Sequence, residues 1–144
     1  MTHSLSLTKW LSSNKKSVYW PNSVVLSNTY KTIIKSSPLV SVIIPLRNRF
    51  SYADRAIISV VNQTYKNWEL IIVDDQSDTH YLLPEACRSV DQLIKIIRNQ
   101  VNIGPGLSRQ KGVTFASGSF ICFLDSDDYY HPEFIIRSLN RHLE

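Results

Sequence analysis

Cysteine, glycine and methionine are scarce: the 144 residues include two, four and one of them. Cys87 and Cys122 are too few for a disulfide framework, and no Cys/His cluster at ligand spacing suggests zinc. Cys122 lies inside an apolar run and reads as a small hydrophobe. No apolar stretch approaches the roughly eighteen residues that a membrane span needs. The N-terminus lacks a charged start followed by a compact apolar block, so no secretory signal is expected. Acidic residues are missing altogether from residues 1–37, which carry Lys9, Lys15, Lys16, Lys31 and Lys35, a charge of +5. Residues 38–144 hold eleven basic and twelve acidic residues, a charge of −1. The basic balance therefore belongs to an extension, and a nucleic-acid-binding domain, which would need its own basic face, is not expected. These absences favour a reducing, cytoplasmic location.

What is present is a globular composition, 43% hydrophobic and 10% aromatic, in a length suited to one domain. Residues 1–37 are rich in Ser, Asn and Lys and carry Trp10, Tyr19, Trp20 and Tyr30. They read as a tail or linker. The sharper alternative is a basic aromatic segment that touches an anionic membrane surface at the cytoplasmic face, or docks on a partner.

From Pro38 the pattern changes. "LVSVIIPLRN" is a β-branched run expected to form a buried strand that closes at Pro45, which cannot continue a ladder. Ala53, Ala56, Ile57, Val60 and Val61 recur at helical spacing, and that helix is expected to end near Thr64. "WELIIVDDQSD" is a second strand, and a weaker helix is expected over Tyr81–Val90. "LIKIIRN" is a third strand, followed by a glycine-containing loop, "VNIGPGLSRQKGVTFASG", that enters a helix. "SFICFLDSDD" is a fourth strand, after which His131, Pro132 and Glu133 are expected to open a last helix. The order βαβαβαβα implies an α/β fold with a mostly parallel sheet covered by helices on both faces. Ligands of such sheets gather outside the carboxyl ends of the strands. Arg47 and Asn48, Asp74 and Asp75, and Asp125, Asp127 and Asp128 should therefore share one edge.

Three carboxylates in the four residues Asp125–Asp128 repel one another unless something positive sits among them. A solvated turn is the plain reading. The position at a strand end, opposite a second acidic pair, favours a magnesium or manganese site completed by substrate phosphates. Tyr129 and Tyr130 exclude an EF-hand loop. Gly104, Gly106 and Gly112 do not make a dinucleotide fingerprint. They do precede a helix start whose backbone N–H groups, with Arg109 and Lys111 on the first turns, suit a phosphate. His131 is expected to act at the helix entry rather than as a metal ligand.

The blocks "VSVIIPLRNR", "AIISVVNQTYKNWELIIVDDQSD" and "NIGPGLSRQKGVTFASGSFICFLDSDD", with the proline that follows, resemble the family 2 glycosyltransferases of GT-A fold. The match runs in order from about Ser41 to Phe134. The resemblance implies a Rossmann-like fold, here its N-terminal, nucleotide-sugar-binding half over residues 38–144, and a donor that is a nucleotide-diphosphate sugar, a UDP-sugar by family preference. It implies that Asp75, the second aspartate of the pair with Asp74, meets the base or ribose, and that Arg109 lies near the diphosphate. It further implies that Asp127, with Asp125, ligates Mg²⁺ or Mn²⁺, that Asp125 also contacts the sugar or ribose side, and that Pro45 and Arg47 line the nucleotide pocket. Transfer would proceed with inversion to an acceptor hydroxyl. The chain departs from the family pattern by stopping at Glu144, where an acceptor-binding half normally follows. The catalytic base is expected in that half, so this chain is expected to bind donor without transferring it, and to self-associate through apolar surface left uncovered. The alternative is a non-catalytic nucleotide-sugar binding or interaction module.

Overall fold

A computed structural model describes residues 37–141 and, before them, a two-residue strand β1 at Ser17–Val18. Apart from that strand and Ser37, the expected extension lies outside the described residues. The domain strands are β2 (Val40–Leu46), β3 (Trp68–Asp74), β4 (Ile94–Arg98) and β5 (Phe120–Phe123). All pair in parallel, in the order β1-β5-β2-β3-β4. The helices are α1 (Phe50–Val61), α2 (Gly104–Phe115) and α3 (Phe134–Arg141), with a 3-10 helix over Glu85–Leu93 between β3 and β4. Among the described residues no helix is long and apolar enough to cross a membrane.

Strand alternation divides the core into two layers. Val40, Val42, Ile44 and Leu46 of β2, with Leu70 and Ile72 of β3, face α1 and α3. Ile43, Ile71, Val73 and Ile121 face α2 through Val113 and Ala116. Complete burial of one such aliphatic side chain stabilises by about 1.5–3 kcal/mol, against about 0–1 kcal/mol for an exposed ion pair. The two layers, not the surface charges, hold the sheet together. α2 lies so close that a Cβ on Gly112 would stand 2.5 Å from Ile43 Cγ2.

Four details differ from the reading of the sequence, each for a physical reason. Pro45 does not close β2: it pairs with Val73, and the strand runs on to Leu46. Alternation points its missing N–H toward β5, where the last rung is Leu124 N–H to the Ile43 carbonyl (3.0 Å), so no ladder bond is lost. The second crossover is a 3-10 helix starting after Pro84: buried Cys87 and partly buried Val90 and Leu93 pack on the core at intervals of three residues, the period of a 3-10 helix. β4 is an edge strand whose Lys95 and Ile96 are exposed, so it is not covered on both faces. α3 starts at Phe134, after a tight turn in which the His131 carbonyl accepts the Phe134 N–H (2.9 Å) as well as Gln63 Nε2, while Thr64 takes the Pro132 carbonyl.

At the amino ends of the strands, Glu69 is a buried acid facing the α2 layer. Its carboxylate accepts from Ser41 Oγ (2.7 Å), Lys95 Nζ (3.0 Å) and the N–H groups of Ser117 and Gly118. Burial pushes its pKa up, but the Ser41, Ser117 and Lys95 bonds outweigh that and hold it below the usual range. Gly118 fits only without a side chain: a Cβ would lie 2.6 Å from Ser41 Oγ and 2.7 Å from the Leu39 carbonyl oxygen. Gly118→Ala is therefore expected to cost about 1–3 kcal/mol by overpacking against fixed backbone. Urea unfolding checks it, and a variant as stable as the parent would contradict the packing described.

Candidate functional site

Chain order β2-β3-β4 proceeds outward on one side of β2, and β5 then returns to its other side. The switch in order lies between β2 and β5, so the crevice at their carboxyl ends is where a ligand is expected. The segments leaving β2, β3 and β5 and the start of α2 line this edge.

Asp74 and Asp75 have separate duties because successive side chains leave a strand on opposite faces. Asp74 is buried. It accepts the Ser77 N–H (2.8 Å) and pairs with Arg98, which also donates to the Ser77 and Thr79 carbonyls. It thus shapes the turn after β3. Asp75, also buried, accepts Asn99 Nδ2 (2.8 Å) and the Ile103 N–H (2.8 Å) on Oδ1, and the Gly104 N–H (2.7 Å) on Oδ2. Burial works to raise its pKa, but the bonds from Ile103, Asn99 and Gly104 prevail and hold it below the usual carboxylate range. The Ile103 and Gly104 N–H groups at the start of α2, read from the sequence as free for a phosphate, are therefore taken by the protein's own carboxylate. Asn99 extends the network to Ser108 Oγ (3.0 Å) and Lys111 Nζ (2.7 Å), tying β3, β4 and α2 into one corner.

After β2, Asn48 and Arg49 adopt consecutive left-handed conformations, φ 53° and 51°. The Asn48 N–H donates to Ser77 Oγ (2.8 Å) and Asn48 Oδ1 accepts the Asp78 N–H (3.0 Å), so the loops after β2 and β3 lock each other. Pro45 is buried in β2, and Arg47 is exposed at its end. Arg49 caps α1 with its backbone and sends its guanidinium to Asp127 Oδ2 (3.4 Å). Arg109, on α2, pairs with Asp125. A turn closed by the Asp128 N–H to the Asp125 carbonyl (3.1 Å) holds the aspartates. The positive charge that three neighbouring carboxylates require thus comes from Arg49 and Arg109. His131 Nδ1 accepts the Glu133 N–H (3.3 Å) beside the entry to α3.

Among the described residues no three or more His, Cys, Asp or Glu side chains converge as a metal cage. Asp125 and Asp127 are about half exposed. That is the donor set of a hard cation that keeps water and phosphate ligands, so Mg²⁺ or Mn²⁺ fits here and a tightly held resident metal does not.

The sequence model of Glycosyl transferase family 2 matches residues 41–144, which include the carboxyl ends of β2, β3 and β5 and the whole of α2. The chain belongs to that family. An uncharacterized glycosyltransferase of Rickettsia conorii is 40% identical over 109 residues, which are 75% of this chain and 18% of the relative. The Escherichia coli UDP-Glc:alpha-D-GlcNAc-diphosphoundecaprenol beta-1,3-glucosyltransferase WfgD is 40% identical over 94 residues, 64% of this chain and 36% of the relative. The chain thus spans 18% and 36% of the lengths of these two family members. Among solved structures, Staphylococcus aureus TarS 1–349 in complex with UDP-GlcNAc superposes with TM-score 0.58 at 28% identity, covering 70% of this chain and 30% of that one. The Pyrobaculum calidifontis mannosyltransferase PcManGT, in complex with GDP-Man and Mn²⁺, superposes with TM-score 0.60 over 92% of this chain and 38% of that one. Its 17% identity speaks for the fold alone. The family 2 fold is therefore the α/β, GT-A-like parallel sheet expected from the sequence.

Site residues that the sequence reading passed over are Arg49, Asn99 and Ser108. Arg49 stands inside "PLRNR", where Arg47 drew attention instead. Asn99 and Ser108 lacked any local signal, since their role exists only where β3, β4 and α2 meet.

Asp75→Asn places an amide where two N–H donors converge, and is expected to cost about 1–3 kcal/mol. Because the folded-state pKa lies below the ordinary 3.8, the stabilisation by Asp75 is complete above that value and is lost as pH falls through the folded pKa. Urea unfolding between about pH 6 and pH 3 should show a shallower acid loss in Asp75→Asn. Glu69 adds a step of the same sign to both proteins, so the comparison is between slopes. Equal slopes would overturn the assignment.

Proposed function

We propose that residues 38–144 bind a nucleotide-diphosphate sugar, a UDP-sugar, through a divalent cation, and that the whole protein transfers the sugar to an acceptor hydroxyl with inversion. The observation that carries this reading is the pairing of Asp125 with Arg109 and of Asp127 with Arg49 at the switch point of the sheet. Carboxylates and guanidiniums side by side suit a ligand that offers a hard cation to one and phosphate oxygens to the other. Further support comes from TarS, solved with UDP and with UDP-GlcNAc, and from WfgD, named for UDP-Glc.

On this reading Asp127 holds Mg²⁺ or Mn²⁺, with Asp125 beside it toward the sugar or ribose. Arg109 and Arg49 bring fixed positive charge to the diphosphate, and Pro45 and Arg47 border the nucleotide. Asp75 offers the base or ribose the acceptor capacity that Asn99, Ile103 and Gly104 leave, and Asp74 supports it by shaping the turn with Arg98. When bound, the cation neutralises charge on the departing diphosphate. The arginines do the same from positions set before the ligand arrives. The base that takes the acceptor proton is assigned to the length that the relatives have and this chain does not span.

Calorimetric titration of UDP with Mn²⁺, and again with excess EDTA, tests the reading. Binding is expected to be tighter with the metal, and Asp127→Ala should weaken it at least about tenfold, or about 1.4 kcal/mol. Absence of UDP binding under both conditions, from folded protein, would sink the donor reading and favour an interaction module.

A further inference from the structure

The acidic turn has no apolar anchor of its own. Asp125, Asp127, Asp128 and Tyr129 are all exposed, Tyr129 at 66%. Such a segment wanders unless both ends are held. Its outgoing end is the Leu124 rung to Ile43. Its returning end is Tyr130, whose hydroxyl reaches back to the Phe123 carbonyl (2.8 Å) and closes the loop at its base. The Tyr130 ring stacks on Phe134, with centroids 4.0 Å apart.

Besides Arg109 of α2, which pairs with Asp125, the groups that hold this segment come from α1 and its two flanks, in matching order. Arg49 meets Asp127, and Arg55 lies over the Tyr129 ring at 5.5 Å. Ser59 Oγ accepts the Tyr130 N–H (3.0 Å), while its own hydroxyl donates to the Ala56 carbonyl (2.6 Å). Just past the helix, Gln63 is fully buried. Its amide donates to the His131 carbonyl (2.7 Å) and the Ser59 carbonyl (3.1 Å), and its oxygen accepts the Ile135 N–H (3.0 Å). A buried amide that is satisfied wholly by backbone groups, two of them about 70 residues away, fixes a distance. An apolar residue of equal size could fill the space, but it would lose all three bonds and leave the Ile135 N–H without its acceptor.

We infer that α1 is the gauge for the acidic turn, and that Ser59, Gln63 and Tyr130 are positioning residues that set where Asp125 and Asp127 stand. This rests on the donor-site reading, and it goes further by assigning the geometry of the metal-binding carboxylates to a helix that supplies none of them. The clamp acts on the turn and not on the loops after β2 and β3. Its loss therefore affects the metal-dependent part of donor binding and spares the rest.

The test uses Tyr130→Phe, which removes one oxygen and keeps the stacked ring, and Ser59→Ala beside Ser59→Thr, which keeps the hydroxyl. Gln63→Met is the stronger lesion, because it removes three hydrogen bonds at once and strips the Ile135 N–H of its acceptor, so the first two variants carry the test. UDP is titrated with Mn²⁺ and with EDTA, and amide hydrogen exchange is followed over residues 125–131 without ligand. Tyr130→Phe and Ser59→Ala are expected to weaken Mn²⁺-dependent binding about fivefold, as loss of one net hydrogen bond would. Binding in EDTA should stay within about twofold of the parent, exchange over the turn should quicken, and Ser59→Thr should restore both. Equal weakening with and without metal would mark a merely structural role and overturn the inference, as would unchanged metal-dependent binding. Faster exchange in variants of a parent that shows no metal-dependent UDP binding would instead fail the donor-site reading, and the assignment of these residues to metal geometry would fall with it.

Discussion

The pairing of β2 with β3 is the constraint from which the site follows. Both strands are buried along their whole length, and their seven-residue register places Leu46 opposite Asp74. Buried backbone in that position must be hydrogen-bonded, so neither strand can slide without unpairing a ladder and turning aliphatic side chains to the wrong layer. Their ends are consequently level. The loops that leave them, Arg47–Arg49 and Asp75–Asp78, start from the same line, and β5 is brought to it by its own register with β2.

On this base the polar groups divide into those sealed inside the fold and those left at its surface. Asp74, Asp75, Asn99 and Glu69 are buried and bonded to neighbouring backbone and side-chain groups. Asp125, Asp127, Arg49 and Arg109 are partly exposed and bound mainly to one another. The sequence does not announce this division, because "VDD" and "DSDD" are chemically alike. What separates them is that α2 begins directly against Asp75, whereas the turn after β5 projects past the end of the sheet.

The four domain strands, their parallel arrangement and the shared edge were legible in the sequence, since β-branched runs alternating with helical spacing leave few alternatives. Three features were not. Pro45 inside a central strand depends on where β5 happens to stop. The 3-10 crossover depends on the core taking up Cys87, Val90 and Leu93 together. The capped start of α2 depends on a carboxylate from a segment distant in sequence. Gln63 did carry a signal that went unread: it continues the stripe Ala53, Ala56, Ile57, Val60 at the next inward position. A polar residue in an apolar stripe has a partner waiting somewhere, and here the partners are His131 and Ile135.

The left-handed pair Asn48–Arg49 has one more consequence. Such a conformation costs about 1–2 kcal/mol at each non-glycine residue, and here it persists because Ser77 and Asp78 hold Asn48 from the neighbouring loop. The bend that aims Arg49 is therefore settled during folding, while the hydrophobic layers are there to offset it. On the donor reading proposed above, a ligand arriving later meets a loop that is already ordered, and its binding energy is not drained by freezing one: the entropy of that corner has been surrendered beforehand, which is preorganisation in the strict sense.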